Sequence, residues 1–127
     1  MGIVLAAAVV VTLAAIAPSL RAARGGEQYT ATAYCSCSKC CGRWADGLTA
    51  TGKRAQWGTI AADWRLLPRG TRVGLSCFPG QVFVVEDRGG AIKGKRIDVW
   101  HPSHRSALRF GVRDTVQIRV LAHSPGR

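Results

Sequence analysis

Six short segments with strand-like patterns, separated by turn residues, follow one another along most of this chain. Alternation of apolar and polar residues, or short runs of Val, Ile and Ala, is typical of β-strands, and Gly-rich pairs such as Gly89-Gly90 separate them. One helix is predicted between Ser103, which suits a helix cap, and Gly111, which ends it. This pattern favours a mainly β fold, a small six-stranded barrel with one or two short helices. The predicted strands are Gln28–Tyr34, Thr59–Ala62, Thr71–Ser76, Gln81–Glu86, Lys95–Trp100 and Thr115–Leu121.

The N-terminal segment Ile3–Ala17 is apolar and carries no charge. Its length suits the core of a signal peptide and is short for a membrane-spanning helix, which needs about 20 residues. Pro18 follows a cleavage-like run of small residues and disfavours processing, so a membrane anchor and a cleaved signal peptide both stay open. A buried helix is less favoured, because the segment has no polar face. Either of the first two exports the domain, although Arg21 and Arg24 oppose that orientation under the positive-inside rule.

The rest of the chain has the size of one domain. Of the 127 residues, we assign 1–26 to the targeting segment and a short linker, 27–122 to the domain and 123–127 to a tail. Lys and Arg number 18 against 7 Asp and Glu, which gives a formal net charge of +11. Such a charge attracts polyanions. The chain lacks the motifs of specific nucleic-acid binding, so we expect anionic wall polymers or a lipid surface as partners of its basic face.

Three aspartates end or interrupt predicted apolar strands: Asp63, Asp87 and Asp98. A carboxylate among Val and Ile loses hydration, which costs free energy unless the group is paired. Where several such groups converge, each raises the pKa of its neighbours, so one can stay protonated near neutral pH and act as a general acid. Composition alone leaves open that each Asp instead caps a turn or pairs with an Arg.

Several short motifs stand in a specific order between residues 29 and 121: Ala31–Cys35, Cys40–Gly42, Thr49–Gly52, Ala61–Asp63, Leu67–Thr71, Glu86–Gly94, Arg96–Trp100 and Ala107–Gly111. This ordered combination resembles the three-aspartate, or 3D, domain family. The resemblance implies a double-psi β-barrel related to the catalytic barrel of the membrane-bound lytic transglycosylase A family. It also implies action on peptidoglycan.

The resemblance carries the three family aspartates over to Asp63, Asp87 and Asp98, and the third matches the catalytic Asp of the lytic family. It implies cleavage of the MurNAc–GlcNAc bond without water, which leaves a 1,6-anhydro sugar. One acid/base group suffices for this reaction, whereas hydrolases generally need a pair of carboxylates. We assign Asp98 as the acid/base and Asp87 to raising its pKa and stabilising oxocarbenium-like charge. Asp63 is assigned to orienting groups or substrate.

Three further residues are candidates for binding substrate. Thr49 and Thr51 lie in a loop that ends in Gly and suit contacts to sugar hydroxyls. Trp100 shares a strand face with the proposed acid/base and suits stacking on a sugar ring, although it fits a barrel core equally well. His101 and His104 have no role in the resemblance and are predicted at the surface. No cofactor and no metal are expected, and the domain is expected to be a monomer.

The cysteines are unevenly distributed: Cys35, Cys37, Cys40 and Cys41 are clustered, and Cys77 stands apart. Disulfides are the default for an exported protein, so all five are disulfide candidates. The C-x-x-C spacing within the cluster also suits zinc, but a second, distant ligand pair is not evident in the sequence. Metal binding and free thiols therefore rank below disulfides.

Two functions follow for an exported domain of this kind. The first is a peptidoglycan-cleaving lytic transglycosylase that remodels the cell wall. The alternative is a non-catalytic barrel that holds peptidoglycan glycan strands in the same groove. The three aspartates favour the enzyme, because a groove that only binds sugar has less need of several carboxylates.

Overall fold

The computed structural model describes residues 26–123. The predicted signal peptide or anchor, Ile3–Ala17, and most of the predicted tail lie outside these residues. Among the residues described, no helix is long and apolar enough to cross a membrane.

Six strands close into a barrel in the order β1-β5-β2-β4-β3-β6. The pairs β1–β5 and β2–β4 are parallel and the other pairs are antiparallel. The predicted six-stranded barrel is thus confirmed. Two short helices accompany it, one after β1 and one after β5. The strands are β1 (Glu27–Tyr34), β2 (Thr59–Ala62), β3 (Arg72–Leu75), β4 (Phe78–Asp87), β5 (Arg96–Trp100) and β6 (Arg113–Ala122), and the helices are α1 (Ser38–Cys41) and α2 (His104–Phe110).

Alternation along the strands decides which side chains fill the barrel. In β5, Ile97 and Val99 are completely buried in the main core, while the three residues that alternate with them face outward and are partly exposed. Strand β2 is buried on both faces, because Ala61 on its outer face is covered by a second, smaller apolar cluster with Tyr34 and Ile92. One outer face of the barrel wall is therefore partly shielded from solvent, around β2.

Helix α2 begins and ends where the sequence predicts. Ser103 caps it by accepting a hydrogen bond from the backbone N–H of Ser106, whose side chain in turn accepts from the Ser103 N–H. Gly111 ends the helix with a φ of 65°, a conformation that glycine adopts without strain. Helix α1 was not predicted, since it is a single turn inside the cysteine cluster.

The prediction that His101 lies at the surface is wrong. Only 8% of this residue is exposed, and its ring packs between Trp57 and Phe110. Burial, with a smaller contribution from Arg113, lowers the pKa of His101. Its position follows from β5, because the His101 N–H donates to the carbonyl of Tyr34 at 2.7 Å and continues the pairing with β1.

Candidate active site

The partly shielded outer face of β1, β5 and β2 carries the residue that the sequence proposes as acid/base. Asp98 lies between two core residues of β5 and therefore points outward. Its neighbours in register are Thr32 on β1 and Ala61 on β2. The strand pairing thus places the carboxyl of Asp98 between a hydroxyl on one side and a small apolar residue on the other.

Burial dominates the electrostatics of Asp98. Removal from water raises the pKa of its carboxyl to about 6, and the nearby charge of Asp87 contributes in the same direction. Two groups oppose this shift: the Thr32 hydroxyl, which donates to Asp98 Oδ1 at 3.0 Å, and the charge of Arg96. A carboxyl with such a pKa exists in both protonation states near neutral pH, as a residue that both gives and takes a proton requires.

Asp87 stands at the end of β4, next to Ala61 on the side of β2 away from β5. It is therefore two strand spacings, roughly 10 Å, from Asp98 along the sheet. Its Oδ2 accepts from the Tyr34 hydroxyl at 2.8 Å, and its Oδ1 accepts from the backbone N–H groups of Ala50 and Arg88, both at 2.9 Å. These three donors fix the orientation of the carboxylate and leave a negative charge beside the face.

Tyr34 joins this carboxylate to the apolar floor of the site. Burial, with the charge of Asp87 and the hydrogen bond to it, raises the pKa of Tyr34 well above its usual value. The phenol therefore stays protonated and acts as a donor. Its ring packs with Ala61 and Ile92, and Trp100 borders the same cluster.

Asp63 follows β2 directly, and both oxygens of its carboxylate accept hydrogen bonds from other parts of the protein. Both oxygens accept from the guanidinium of Arg65, at 3.1 and 2.8 Å, and Oδ1 also accepts from the Arg65 N–H. Oδ2 accepts from the N–H of Gly94 at 2.9 Å. These bonds hold the pKa of Asp63 well below its usual range. With 5% of the residue exposed, Asp63 connects the turn after β2 to the segment that enters β5.

The loop with Thr49 and Thr51 is attached to the end of β4. The two hydroxyls lie 2.9 Å apart, and Thr51 donates to Glu86 Oε2 at 2.7 Å. Lys53 also contacts this glutamate, at 3.2 Å. Since the neighbouring Ala50 N–H binds Asp87, the loop lies beside the proposed site. Its hydroxyls are held in an internal network, and a role in binding sugar stays a prediction.

The aromatic side chains occupy different places. Trp100 is outside the main core, on the outer face with Asp98, and its Nε1 donates to Ser36 Oγ at 2.9 Å. Trp64 donates to the carbonyl of Asp87 at 3.0 Å, and the Arg88 guanidinium lies over its ring. Trp100 thus shares the outer face with Asp98, and Trp64 binds the backbone of Asp87, whereas neither Trp44 nor Trp57 has a described hydrogen bond to an aspartate.

All five cysteines are free thiols in the structure. Four are gathered after β1, while Cys77 packs against the main core at the turn between β3 and β4. Cys41 donates to the carbonyl of Cys35 at 3.1 Å and borders the Tyr34 cluster. His104, predicted as a residue of the surface without a role, is partly buried against this group. The predicted disulfides stay a prediction.

Sequence reasoning missed three polar partners of the aspartates: Thr32, Tyr34 and Arg65. A signal for the first two was present, because they share one face of the first strand and both lie in the motif Ala31–Cys35. The Arg65 pairing had no usable signal, since the chain is rich in arginines and many of them stand within reach of an aspartate.

Comparison with known proteins agrees with this architecture. The family model of the 3D domain matches residues 58–122. Cell wall-binding protein YocH of Bacillus subtilis (strain 168) is 40% identical over 79 residues, which is 59% of this chain and 26% of YocH. YabE of the same organism, named for cell wall shaping, is 37% identical over 93 residues, which is 72% of this chain and 22% of YabE. The chain thus spans about a quarter of the length of these relatives.

Among solved structures, the lytic transglycosylase MltA of Escherichia coli has the same kind of barrel. The TM-score is 0.51 at 25% sequence identity, over 61% of this chain and 28% of MltA. A second structure of MltA, with bound chitohexaose, matches with the same TM-score at 24% identity. The family match begins at residue 58, yet β1 pairs with both β5 and β6, so the folded barrel extends further toward the N-terminus.

Proposed function

Since the chain belongs to the 3D domain family, we propose that it is an exported lytic transglycosylase of the cell envelope that cleaves peptidoglycan at the MurNAc–GlcNAc bond. The apolar N-terminal segment would carry it out of the cytoplasm as a signal peptide or membrane anchor. The cell-wall names of YocH and YabE support the substrate, and the barrel shared with MltA supports the reaction.

One observation carries the proposal: Asp98 combines an outward position in β5 with a pKa of about 6, and the fixed carboxylate of Asp87 lies two strands away on the same wall. A structural aspartate would gain from a strong cationic partner, as Asp63 does. Asp98 instead has a hydroxyl as its partner, and its pKa lies close to neutral pH, where the carboxyl can both give and take a proton. This environment suits general acid–base chemistry.

In the proposed reaction, protonated Asp98 donates its proton to the glycosidic oxygen as the C1–O bond breaks. The resulting carboxylate then takes the proton of the C6 hydroxyl, whose oxygen attacks C1 and closes the 1,6-anhydro ring. Asp98 ends in the protonated state in which it began, and no water is consumed. The charge of Asp87 favours the protonated form of Asp98 before the reaction and stabilises positive charge on the sugar ring during it.

The proposal gives roles to three further parts of the site. Asp63 is a positioning residue, because its carboxylate holds the segment that leads into β5. Thr49 and Thr51 would receive sugar hydroxyls once their internal hydrogen bonds exchange. Trp100 offers an indole edge at the border of the site, and the positive charge of the chain favours anionic wall polymers.

A non-catalytic glycan-binding barrel is the second candidate. It is favoured by the similarity to YocH, which is named a cell wall-binding protein and is 40% identical over the matched region. Both candidates use the same face of the barrel. They differ in whether Asp98 transfers a proton.

The test is product analysis after the full chain is incubated with purified peptidoglycan sacculi. Mass spectrometry should detect 1,6-anhydro muropeptides, which are lighter by one water than hydrolysis products. Asp98→Asn keeps the size of the side chain but cannot transfer the proton, so the rate should fall about 10²- to 10⁴-fold. The matched control is Asp114→Asn, an exposed aspartate of β6, which should retain the wild-type rate.

Three other outcomes of this assay would contradict the proposed reaction or the role of Asp98. Products with reducing ends would make the protein a hydrolase and would require a second catalytic carboxylate. Retention on sacculi without any cleavage would favour the binding barrel. Full activity of a folded Asp98→Asn protein would remove Asp98 from the mechanism.

A further inference from the structure

Four side chains that the proposed reaction does not use converge at one end of the barrel. They are Cys35, Cys37, Cys40 and His104, and one ligand atom from each lies within 4.8 Å of all the others. Three sulfurs and one imidazole nitrogen are a common ligand set of structural zinc sites. The cluster is separate from the carboxylates of the outer face.

Three distances within the cluster are close to those around a tetrahedral ion, and a fourth is too short. Zn–S bonds of about 2.3 Å and a Zn–N bond of about 2.0 Å place the ligand atoms about 3.8 Å apart for two sulfurs and about 3.5 Å apart for sulfur and nitrogen. The Sγ atoms of Cys35 and Cys40 are 3.6 Å apart, and His104 Nδ1 lies 3.4 Å from Cys40 Sγ and 3.7 Å from Cys37 Sγ. The Sγ atoms of Cys35 and Cys37 are closer, at 2.9 Å, and would separate by about 0.9 Å around an ion.

The topology explains why residues so distant in sequence meet here. Strands β1 and β5 are parallel, and Tyr34 is in register with Trp100, so the segments that follow both strands leave the barrel side by side. The first segment supplies the cysteines and the second supplies His104 in the first turn of α2. The distant ligand that the sequence pattern lacks is therefore a single histidine, brought in by strand pairing.

The local backbone also suits a metal loop. Cys37 precedes α1, and its carbonyl accepts from the N–H groups of Cys40 and Cys41 at 3.1 and 2.9 Å. This tight turn directs the two side chains of the C-x-x-C sequence to the same side. Cys41 is excluded from the set, because its thiol donates to the Cys35 carbonyl.

We propose that Cys35, Cys37, Cys40 and His104 bind one Zn²⁺ ion in a closed, four-coordinate structural site. Zinc fits better than harder ions, because thiolate and imidazole ligands select soft or borderline metals. A disulfide would use two of the three sulfurs and would not account for the position of the histidine beside them. Binding by three thiols and a neutral imidazole releases three protons and involves no redox step.

The ion would hold residues 35–41, which follow β1 and include α1, against the barrel. That segment contains Ser36, which accepts from Trp100 Nε1, and ends at Cys41, which borders the cluster around Tyr34. The metal would therefore stabilise one edge of the outer face without touching its carboxylates.

The test is metal analysis of the full chain purified under reducing conditions. We expect one zinc per chain, and Co²⁺ in its place should give the intense visible bands of a tetrahedral thiolate site. His104→Ala should weaken zinc binding by more than about 100-fold, the upper end of what loss of an outer-shell partner costs. His104→Cys should restore tetrahedral cobalt bands. Cys77→Ser is the matched control and should bind like the wild type.

Three results would overturn the proposal. The first is a reduced, folded chain that takes up neither Zn²⁺ nor Co²⁺. The second is zinc binding that is unchanged in His104→Ala or equally lost in Cys77→Ser. The third is a disulfide within the cluster that forms in the presence of excess zinc. Chelation should lower the melting temperature of the wild type and leave that of His104→Ala unchanged, which keeps the test independent of catalysis.

Discussion

Asp98 should destabilise the barrel at neutral pH, and replacing it with Asn should make the protein more stable. In the folded state its pKa is about 6, whereas the ordinary value is 3.8. Folding therefore favours the protonated form. The contribution of this group to stability is fully present below pH 3.8 and is lost as the pH rises through 6.

The size of the effect follows from the shift. The pKa of Asp98 rises from 3.8 to about 6 on folding, and each pKa unit corresponds to about 1.36 kcal/mol. The folded state is therefore about 3 kcal/mol less stable at pH 8 than it would be with a neutral group. An Asn side chain keeps the oxygen that accepts from Thr32 but buries part of an amide N–H₂, which offsets about 1 kcal/mol. Asp98→Asn should therefore gain about 2 kcal/mol at pH 8, or on the order of 10 °C in melting temperature.

Urea unfolding of both proteins at unit intervals from pH 4 to pH 8 measures this gain. Comparison at the same pH cancels the titration of all other groups that the substitution leaves unchanged. The gain should shrink below pH 6 and vanish near pH 4, where the carboxyl costs only about 0.6 kcal/mol and no longer exceeds the cost of about 1 kcal/mol for burying the amide. Asp114→Asn, at an exposed site, should differ from the wild type by less than about 0.5 kcal/mol throughout. A variant that is less stable than the wild type at pH 8, or a gain that does not vary with pH, would refute the reasoning.

The other predictions concern the partners of the aspartates and the basic surface. Thr32→Val removes a donor to ionised Asp98 and should raise its pKa by about one unit in a carboxyl NMR titration, while Thr32→Ser should leave it unchanged. Asp63→Asn should lower the melting temperature at pH 7, because it breaks the pair with Arg65. Since the pKa of Asp63 is depressed, that deficit should shrink as the pH falls below about 4; equal stability at pH 7 would contradict it. Binding of the +11 chain to sacculi should weaken as salt approaches 1 M, where the Debye length is about 3 Å, and salt-independent binding would contradict a role for the basic charge.

The strands were predictable because their signal is local. Alternation and turn residues located all six strands, with bounds that differ by a few residues at most, and the Ser103 cap located α2. Strand order is not a local property, since β1 pairs with β5 across more than sixty residues. It could be anticipated only through the resemblance to a known family.

The candidate site divides in the same way. The outward position of Asp98 follows from its place between Ile97 and Val99, which alternation puts in the core. The different environments of Asp98 and Asp63 do not follow from sequence, because one lies within a short apolar strand and the other directly after one, and neither pattern names the partner. In the folded chain, Asp98 accepts a hydrogen bond from a hydroxyl, whereas Asp63 pairs with an arginine. This difference in partner leaves the pKa of Asp98 near 6 and holds that of Asp63 well below its usual range.

The parallel pair β1–β5 connects the two proposals. Its register places Thr32 beside Asp98 and, two residues further on, Tyr34 beside Trp100. The segments that follow both strands then leave the barrel at the end where the cysteines meet His104. A barrel of this size has little stability to spare, and at neutral pH a buried, ionised Asp98 consumes about 3 kcal/mol of it. A zinc ion at the adjacent end would offset that cost, since small domains often need a metal or a disulfide for stability. The buried carboxyl and the four proposed ligands would then act on the same pair of strands, which the ionised Asp98 destabilises and the bound metal would stabilise.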